Sequence, residues 1–329
     1  MRAAVVRAFG APPEWSEWPE PTAGPHQTVV TVTAAAVSPV VRGRASGTHY
    51  SLRPELPFVA GVDGVGRTPD GQRVYFILPP PPQGALAERV AVDDDHLLPL
   101  PDDLDDGTAA AAAIPGMSCW LPLTRRVGWT AGMSVLVNGA TGAAGGTAVQ
   151  VARHLGAAHV VATGRDPARL AELSGLGADR VISVADPGPS FQAAVRAAVG
   201  EYGIGVVLDY LWGPSAAAIV AAIGAPDPPR GPRTVRFVHI GGASGDTIVL
   251  PGAPLRGSGL EILGSGFGSS PAAEVRAAID EFLRAYHRAG FRIRLAERPI
   301  ATIATSWSAP PDDRRPVYRI AGAGGAATT

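Results

Sequence analysis

The chain has 329 residues, 46% hydrophobic and 17% charged, with a formal net charge of −1. That length favours two domains, and that composition supplies a large core and excludes a disordered chain. The near-neutral balance offers no basic surface for nucleic acid or an anionic membrane; the single cysteine, Cys119, excludes a disulfide framework and a cysteine-rich zinc site; and no apolar run is long enough to span a membrane. The start MRAAVVRAFGAPPEW lacks the apolar stretch of a secretory signal, so a cytoplasmic location is expected.

Residues 1 to about 112 read as short strands broken by proline and glycine, at 2–8, 28–36, 73–78 and 87–92. Such spacing predicts a compact, mostly β domain. An acidic run at 102–106 precedes the alanines at 109–113, as at a helix N-terminus with favourable dipole charge. From about 134 to 268 strands and helices alternate. Strands are expected at 135–138, 159–163, 180–184, 205–210, 235–240 and 261–264, and helices begin near Ala143, Pro167, Ser190 and Pro214. Alternation of this kind predicts an α/β fold with a doubly wound parallel sheet. Residues 271–289 read as a helix, 292–298 as a strand returning to the first domain, and 321–329 as a frayed tail.

The most informative stretch is SVLVNGATGAAGGTAVQVARHLGAAHVVATGR, residues 134–165. It reads as strand, glycine-rich turn, helix and second strand. Gly139, Gly142 and Gly145 lie three apart, and Ala140, Gly142 and Gly145 match the spacing of the dinucleotide fingerprint. The middle glycine lets the backbone approach a pyrophosphate, and the last lets the helix pack close to the strand. Gly139, Thr141, Gly142, Ala143, Ala144 and Gly145 therefore form the candidate phosphate cradle, with the positive end of the helix aimed at the anion.

LPFVAGVDGVG (56–66), GALAERVAVDDDHLLPLPDDLDD (84–106), IPGMSCWLPL (114–123), VLVNGATGAAG and LGADRVISV occur in an order and spacing that resembles the medium-chain dehydrogenase/reductase superfamily, in its zinc-independent quinone oxidoreductase branch. The resemblance runs from about Met1 to Ile320. It implies a GroES-like β-rich substrate domain (1–115 and 270–329) and a Rossmann dinucleotide-binding domain (116–269), with the substrate cleft between them. Zinc-dependent relatives hold metal with a Cys, a His or Glu, and a second Cys. Here Cys119 falls in the linker helix, Asp63 stands where those relatives carry a glutamate, and His49, His96, His154 and His159 are scattered, so no metal is expected.

The resemblance implies a nicotinamide cofactor, and the second strand bears on which one. In register with NAD-dependent relatives, Gly164 occupies the acidic position that would bond a ribose hydroxyl, and Arg165 follows at once to fork onto a 2′-phosphate. Asp166 is a counter-signal, read as a cap before Pro167. Val184 lacks the tyrosine often found after the third strand in NADP-preferring members. The balance favours NADP(H). Gly241, Gly242, Gly264 and Ser265, at the ends of later strands, fall where the family contacts nicotinamide and ribose, and Ser118 keeps a hydroxyl near the nicotinamide. Leu211 and Trp212 either wall the nicotinamide side, with Trp212 a candidate substrate-pocket residue, or simply pack.

The loop 37–50 resembles the family's substrate loop, with Ser38 replacing an asparagine and Val41 an aspartate; both are candidate pocket residues in a less polar site. A family tyrosine falls in register with His49 or Tyr50. Either could donate a proton or hydrogen bond to a carbonyl, or be a surface histidine and a packed tyrosine. The expected function is NADPH-dependent, zinc-independent hydride transfer to a quinone or an α,β-unsaturated carbonyl compound. The alternatives are a tailoring enzyme of secondary metabolism acting on a larger substrate, or a nicotinamide-binding protein without turnover. The expected partners are a small-molecule substrate and a second copy of the chain, joined through the edge strand of the cofactor sheet at 259–267.

Overall fold

The computed structural model describes residues 1–51, 54–224, 234–309 and 314–320; the expected tail at 321–329 lies outside them. The chain divides into two units, one of Met1–Ala113, Leu283–Arg288 and Ile293–Thr329, the other of Ile114–Phe282 and Ala289–Arg292.

In the first unit, β1 (Arg2–Val6), β2 (Glu14–Glu17) and β4 (Phe58–Val59) form a three-stranded sheet in the order β2-β1-β4. The larger sheet takes β3 (Gln27–Ala36), β5 (Asp63–Arg67), β6 (Arg73–Ile77), β7 (Arg89–Asp93) and β8 (Leu97–Pro99), together with β15 (Leu295–Pro299) and β16 (Arg315–Arg319) from near the C-terminus. Its order is β15-β16-β3-β5-β6-β8, with β7 also paired to β3. The returning strand therefore starts at Leu295, and β16, a five-residue run holding a proline and two arginines, joins it to β3. A short helix, α1 (Pro39–Ala45), follows β3. Ser38 caps it, its hydroxyl oxygen accepting from the Val41 N–H at 3.1 Å.

The second unit holds six parallel strands, β9 (Ser134–Asn138), β10 (Val160–Gly164), β11 (Arg180–Ser183), β12 (Ile204–Asp209), β13 (Thr234–His239) and β14 (Gly259–Gly264), in the order β11-β10-β9-β12-β13-β14. Every residue of β9 and β10 is buried, as expected where helices cover both faces of a parallel sheet. The order in which successive strands are added reverses between β9 and β12, and ligands of such sheets bind at the strand C-termini beside that point. The helices include α3 (Ala143–His154), α4 (Pro167–Leu173), α5 (Pro189–Tyr202), α6 (Gly213–Ile223) and α7 (Gly252–Gly257), with α2 (Asp106–Leu121) from Ile114 on and α8 (Ala272–Ala285) as far as Phe282. Apolar side chains from α5, α6 and the strands, among them Phe191, Val195, Ile219, Leu136, Val207 and Phe237, form one core.

The division falls at 113/114 and 282/283, so most of α8 goes with the parallel sheet rather than with the β-rich unit, as a boundary at 269/270 would have it. The physical reason is packing. Gly116 on α2 leaves space that the Phe282 ring fills, and Phe282 stacks on Phe291 with ring centroids 5.4 Å apart.

Candidate active site

The glycine turn after β9 is shaped by two close approaches and one open position. Gly139 has φ +88°, a backbone conformation side chains rarely adopt, and a Cβ there would meet Leu211 Cγ at 2.8 Å. A Cβ on Gly145 would come within 2.6 Å of Ala140 Cα, so the glycine lets α3 press onto the turn. Around Gly142 the space is open: a Cβ there would meet only Gly139 O, at 3.7 Å. Gly142 caps α3 without a side-chain bond, which leaves the first-turn N–H groups of Ala143, Ala144 and Gly145 without intrahelical acceptors. These residues fit a pyrophosphate: tight where backbone must pack, open where an anion must enter.

Beneath the turn lies a buried polar row that sequence reading missed. Thr163, Asn138 and Asp209 lie at the ends of β10, β9 and β12 and have no solvent exposure. Thr163 Oγ1 donates to Asn138 Oδ1 at 2.7 Å, and Asn138 Nδ2 donates to Asp209 Oδ1 at 2.7 Å and to Ser215 Oγ at 3.0 Å. The row reaches up to the site at both ends. The Gly139 N–H donates to Thr163 Oγ1 at 3.1 Å, and the N–H groups of Leu211 and Trp212 both donate to Asp209. Trp212, held at φ +55°, places its ring 4.3 Å from that of His239. The signal was in the sequence: each of the three is the polar residue closing, or all but closing, an apolar strand.

At the end of β10, Gly164 is buried and any side chain there would collide with Thr141 Cγ2, with Leu170 Cδ2 at 3.0 Å beyond. Arg165 is exposed and makes no hydrogen bond or ion pair with a described residue. Asp166 is spent as the cap of α4, accepting from Ala168 N–H at 2.9 Å and Arg169 N–H at 3.2 Å. Arg169, which the sequence did not single out, donates to Thr141 O at 2.8 Å and so braces the turn.

The later loops gather at the same sheet edge. Gly241 N–H donates to Asp209 O at 3.1 Å, and Gly242 follows it; Ser265, after Gly264, donates its N–H to His239 O at 2.8 Å. Ser118 Oγ donates to Pro115 O at 2.7 Å and lies 3.3 Å from the Tyr210 hydroxyl. Cys119 beside it is fully buried; burial pushes its thiol up to about 12, and its Sγ lies 3.2 Å from Gly116 O.

Ser38, Val41, His49 and Tyr50 belong to the first unit. Ser38 and Val41 are each 1% exposed, the one capping α1 and the other packed in the core with Phe58 and Ile303. Both side chains support the loop, and Val41 also borders a cavity of about 20 Å³, room for one water. Tyr50 is 73% exposed and stacks on His49 at 4.6 Å. Asp63 is wholly buried, accepts from the Tyr75 hydroxyl at 3.1 Å, and has its carboxyl raised to about 7 by burial, against the pull of Arg315. Among the described residues no three His, Cys, Asp or Glu side chains come together as a metal site, and no helix is long and apolar enough to cross a membrane.

A parallel six-stranded sheet with a glycine turn at its switch point, together with a separate β-rich unit, defines a two-unit nucleotide-binding oxidoreductase. The family model of zinc-binding dehydrogenases matches residues 143–284. The chain is 30% identical to "Probable NADPH-dependent quinone reductase tdiC" of Emericella nidulans, over 93% of this chain and 96% of that protein. It is 31% identical to the quinone oxidoreductase of Rattus norvegicus, over 64% of this chain and 66% of that one. The quinone oxidoreductase of Thermus thermophilus, whose structures include a complex with NADPH, superposes with a TM-score of 0.79 at 29% identity, covering 97% of this chain and 100% of that one. The chain belongs to the medium-chain dehydrogenase/reductase superfamily, in its quinone oxidoreductase-like branch, and is an oxidoreductase.

Proposed function

We propose that this chain transfers hydride between NADP(H) and a quinone or an α,β-unsaturated carbonyl compound, without zinc. The observation that carries the cofactor choice is the pair Gly164 and Arg165. No carboxylate stands at the end of β10 to bond a ribose hydroxyl, and next to it stands an exposed guanidinium, unpaired among the described residues. The names of the relatives from Emericella nidulans and Thermus thermophilus support the same choice.

The turn Gly139–Thr141–Gly142 and the first-turn N–H groups of Ala143, Ala144 and Gly145 would hold the pyrophosphate. Arg165 would take the 2′-phosphate, and Leu211, Trp212, Gly241, Gly242, Gly264, Ser265 and Ser118 would position the nicotinamide end. When bound, the nicotinamide supplies the hydride. The protein's part is to fix Leu211 and Trp212 through Asp209 and to offer a hydrogen-bond donor, His49 or Tyr50, to the oxygen on which negative charge develops. A metal is not required, and the donor set does not suit one: Cys119, the single thiol, is buried on α2 and bonded to backbone carbonyls.

NADPH oxidation against a panel of quinones and enones tests the reading. Turnover with several acceptors is expected; tight NADPH binding with no turnover on any would leave a binding protein instead. The homodimer is likewise proposed through β14, one of the two edge strands of its sheet. Gel filtration is expected to give twice the chain mass, and a monomer would overturn it.

A further inference from the structure

The loop after α1 holds a chain of polar contacts that neither the sequence nor the proposed reaction accounts for. The Ser51 N–H donates to His49 Nδ1 at 3.2 Å, and Ser51 Oγ lies 2.8 Å from the same nitrogen. Arg44 Nη2 donates to Ser51 Oγ at 3.1 Å. The serine oxygen is thus occupied as an acceptor, and its own hydrogen is free for Nδ1. With two donors directed at it, Nδ1 acts as an acceptor, and the ring proton of a neutral imidazole then sits on Nε2. Nε2 makes no hydrogen bond with a described residue.

Packing fixes the ring as firmly as the hydrogen bonds do. A Cβ on Gly43 would meet His49 Cβ at 3.1 Å and Cδ2 at 3.3 Å, so the glycine admits the ring against α1. The Tyr50 ring stacks on the imidazole, 29° from parallel. The charged groups nearby are Arg44, beside His49, and the buried Asp63, which attracts Arg44. Burial first, and then Arg44, hold His49 below the ordinary histidine range, so the ring stays uncharged at neutral pH.

We propose that Arg44 and Ser51 are positioning residues that hold His49 as the neutral, Nε2-protonated imidazole, so that it donates a hydrogen bond to the carbonyl oxygen of the acceptor substrate. This rests on the reading of His49 as a substrate-facing residue. A neutral N–H is a weaker acid than an imidazolium. It stabilises a developing oxyanion by hydrogen bonding without giving up its proton, and water supplies the proton that completes the reduction.

The test uses the full chain labelled with ¹⁵N-histidine. Long-range ¹H–¹⁵N spectra at pH 7, with His49 assigned by comparison with His49→Gln, should show a protonated Nε2 and an unprotonated Nδ1. Ser51→Ala should give mixed tautomers and lower kcat for an enone by about tenfold with KM for NADPH unchanged, and Ser51→Thr, which keeps the hydroxyl, should restore both. His49→Phe should lower kcat by about 10²-fold, the scale of losing one oxyanion donor. A protonated Nδ1, a charged ring at pH 7, or Ser51→Ala with unaltered tautomer and kcat would overturn the proposal. A wild-type chain that reduces no enone or quinone would instead overturn the reductase reading, with the tautomer still on record to separate the two failures.

Discussion

Thr141 occupies the space that a side chain on Gly164 would need. Its Cγ2 lies where a Cβ on Gly164 would be placed, so a residue of the glycine turn and the last residue of the second strand are sterically coupled. The acidic side chain by which NAD-binding units hold the ribose is absent from this position and is also excluded from it by a neighbour.

Gly164→Asp alone is therefore expected to lose NADPH affinity without gaining NADH affinity, because the new Cβ displaces Thr141 and the turn with it. Thr141→Ala combined with Gly164→Asp should recover NADH binding at least about tenfold over the single variant, the scale of one charge-assisted hydrogen bond. Fluorescence titration with both nucleotides checks this; a single Gly164→Asp variant that binds NADH well would remove the coupling.

Asp209→Asn tests the buried polar row. The carboxylate accepts from Asn138 Nδ2 and from the N–H groups of Leu211 and Trp212, and an amide turns one acceptor into a donor facing donors. The expected cost is about 1–3 kcal/mol in urea unfolding, together with weaker nicotinamide binding as the Leu211–Trp212 turn is released. Unchanged stability would mean that the row is dispensable.

Asp63 makes stability depend on pH. Its carboxyl is raised to about 7 by burial, whereas in the unfolded chain it titrates near 4. The folded state then holds its proton more tightly. The resulting stabilisation is complete below about pH 4 and is lost as pH rises to 7, by on the order of 4 kcal/mol in total. Asp63→Asn should flatten this slope, so wild type should lose stability relative to the variant between pH 5 and pH 8. A difference independent of pH would show that Asp63 is not the titrating group.

Much of this was legible in the chain itself. The parallel sheet declared itself because alternating strands and helices are local signals: apolar runs such as VLV and VVA, glycine at the turn, Asp166–Pro167 at a helix start. The glycine cradle and Arg165 were legible for the same reason. The β-rich unit was harder to read. β16 is short, carries Arg315 and Pro316, and is defined by its pairing with β3, far away in sequence. The cap made by Ser38 and the core packing of Val41 were hidden because a substitution against a family pattern does not say what the new side chain touches. Arg44 and Ser51 gave no signal, and Asp63 gave none of its link to Arg44, since these roles depend on which side chains the fold brings near His49.

Arg165 is the residue proposed to read the 2′-phosphate, and the most direct measurement is calorimetric titration of wild type and Arg165→Ala with NADPH and NADH. The expected result is a fall in NADPH affinity of about tenfold or more, the scale of a lost charge-assisted pair, with NADH binding unchanged. Equal losses for both nucleotides, or no loss for either, would contradict it.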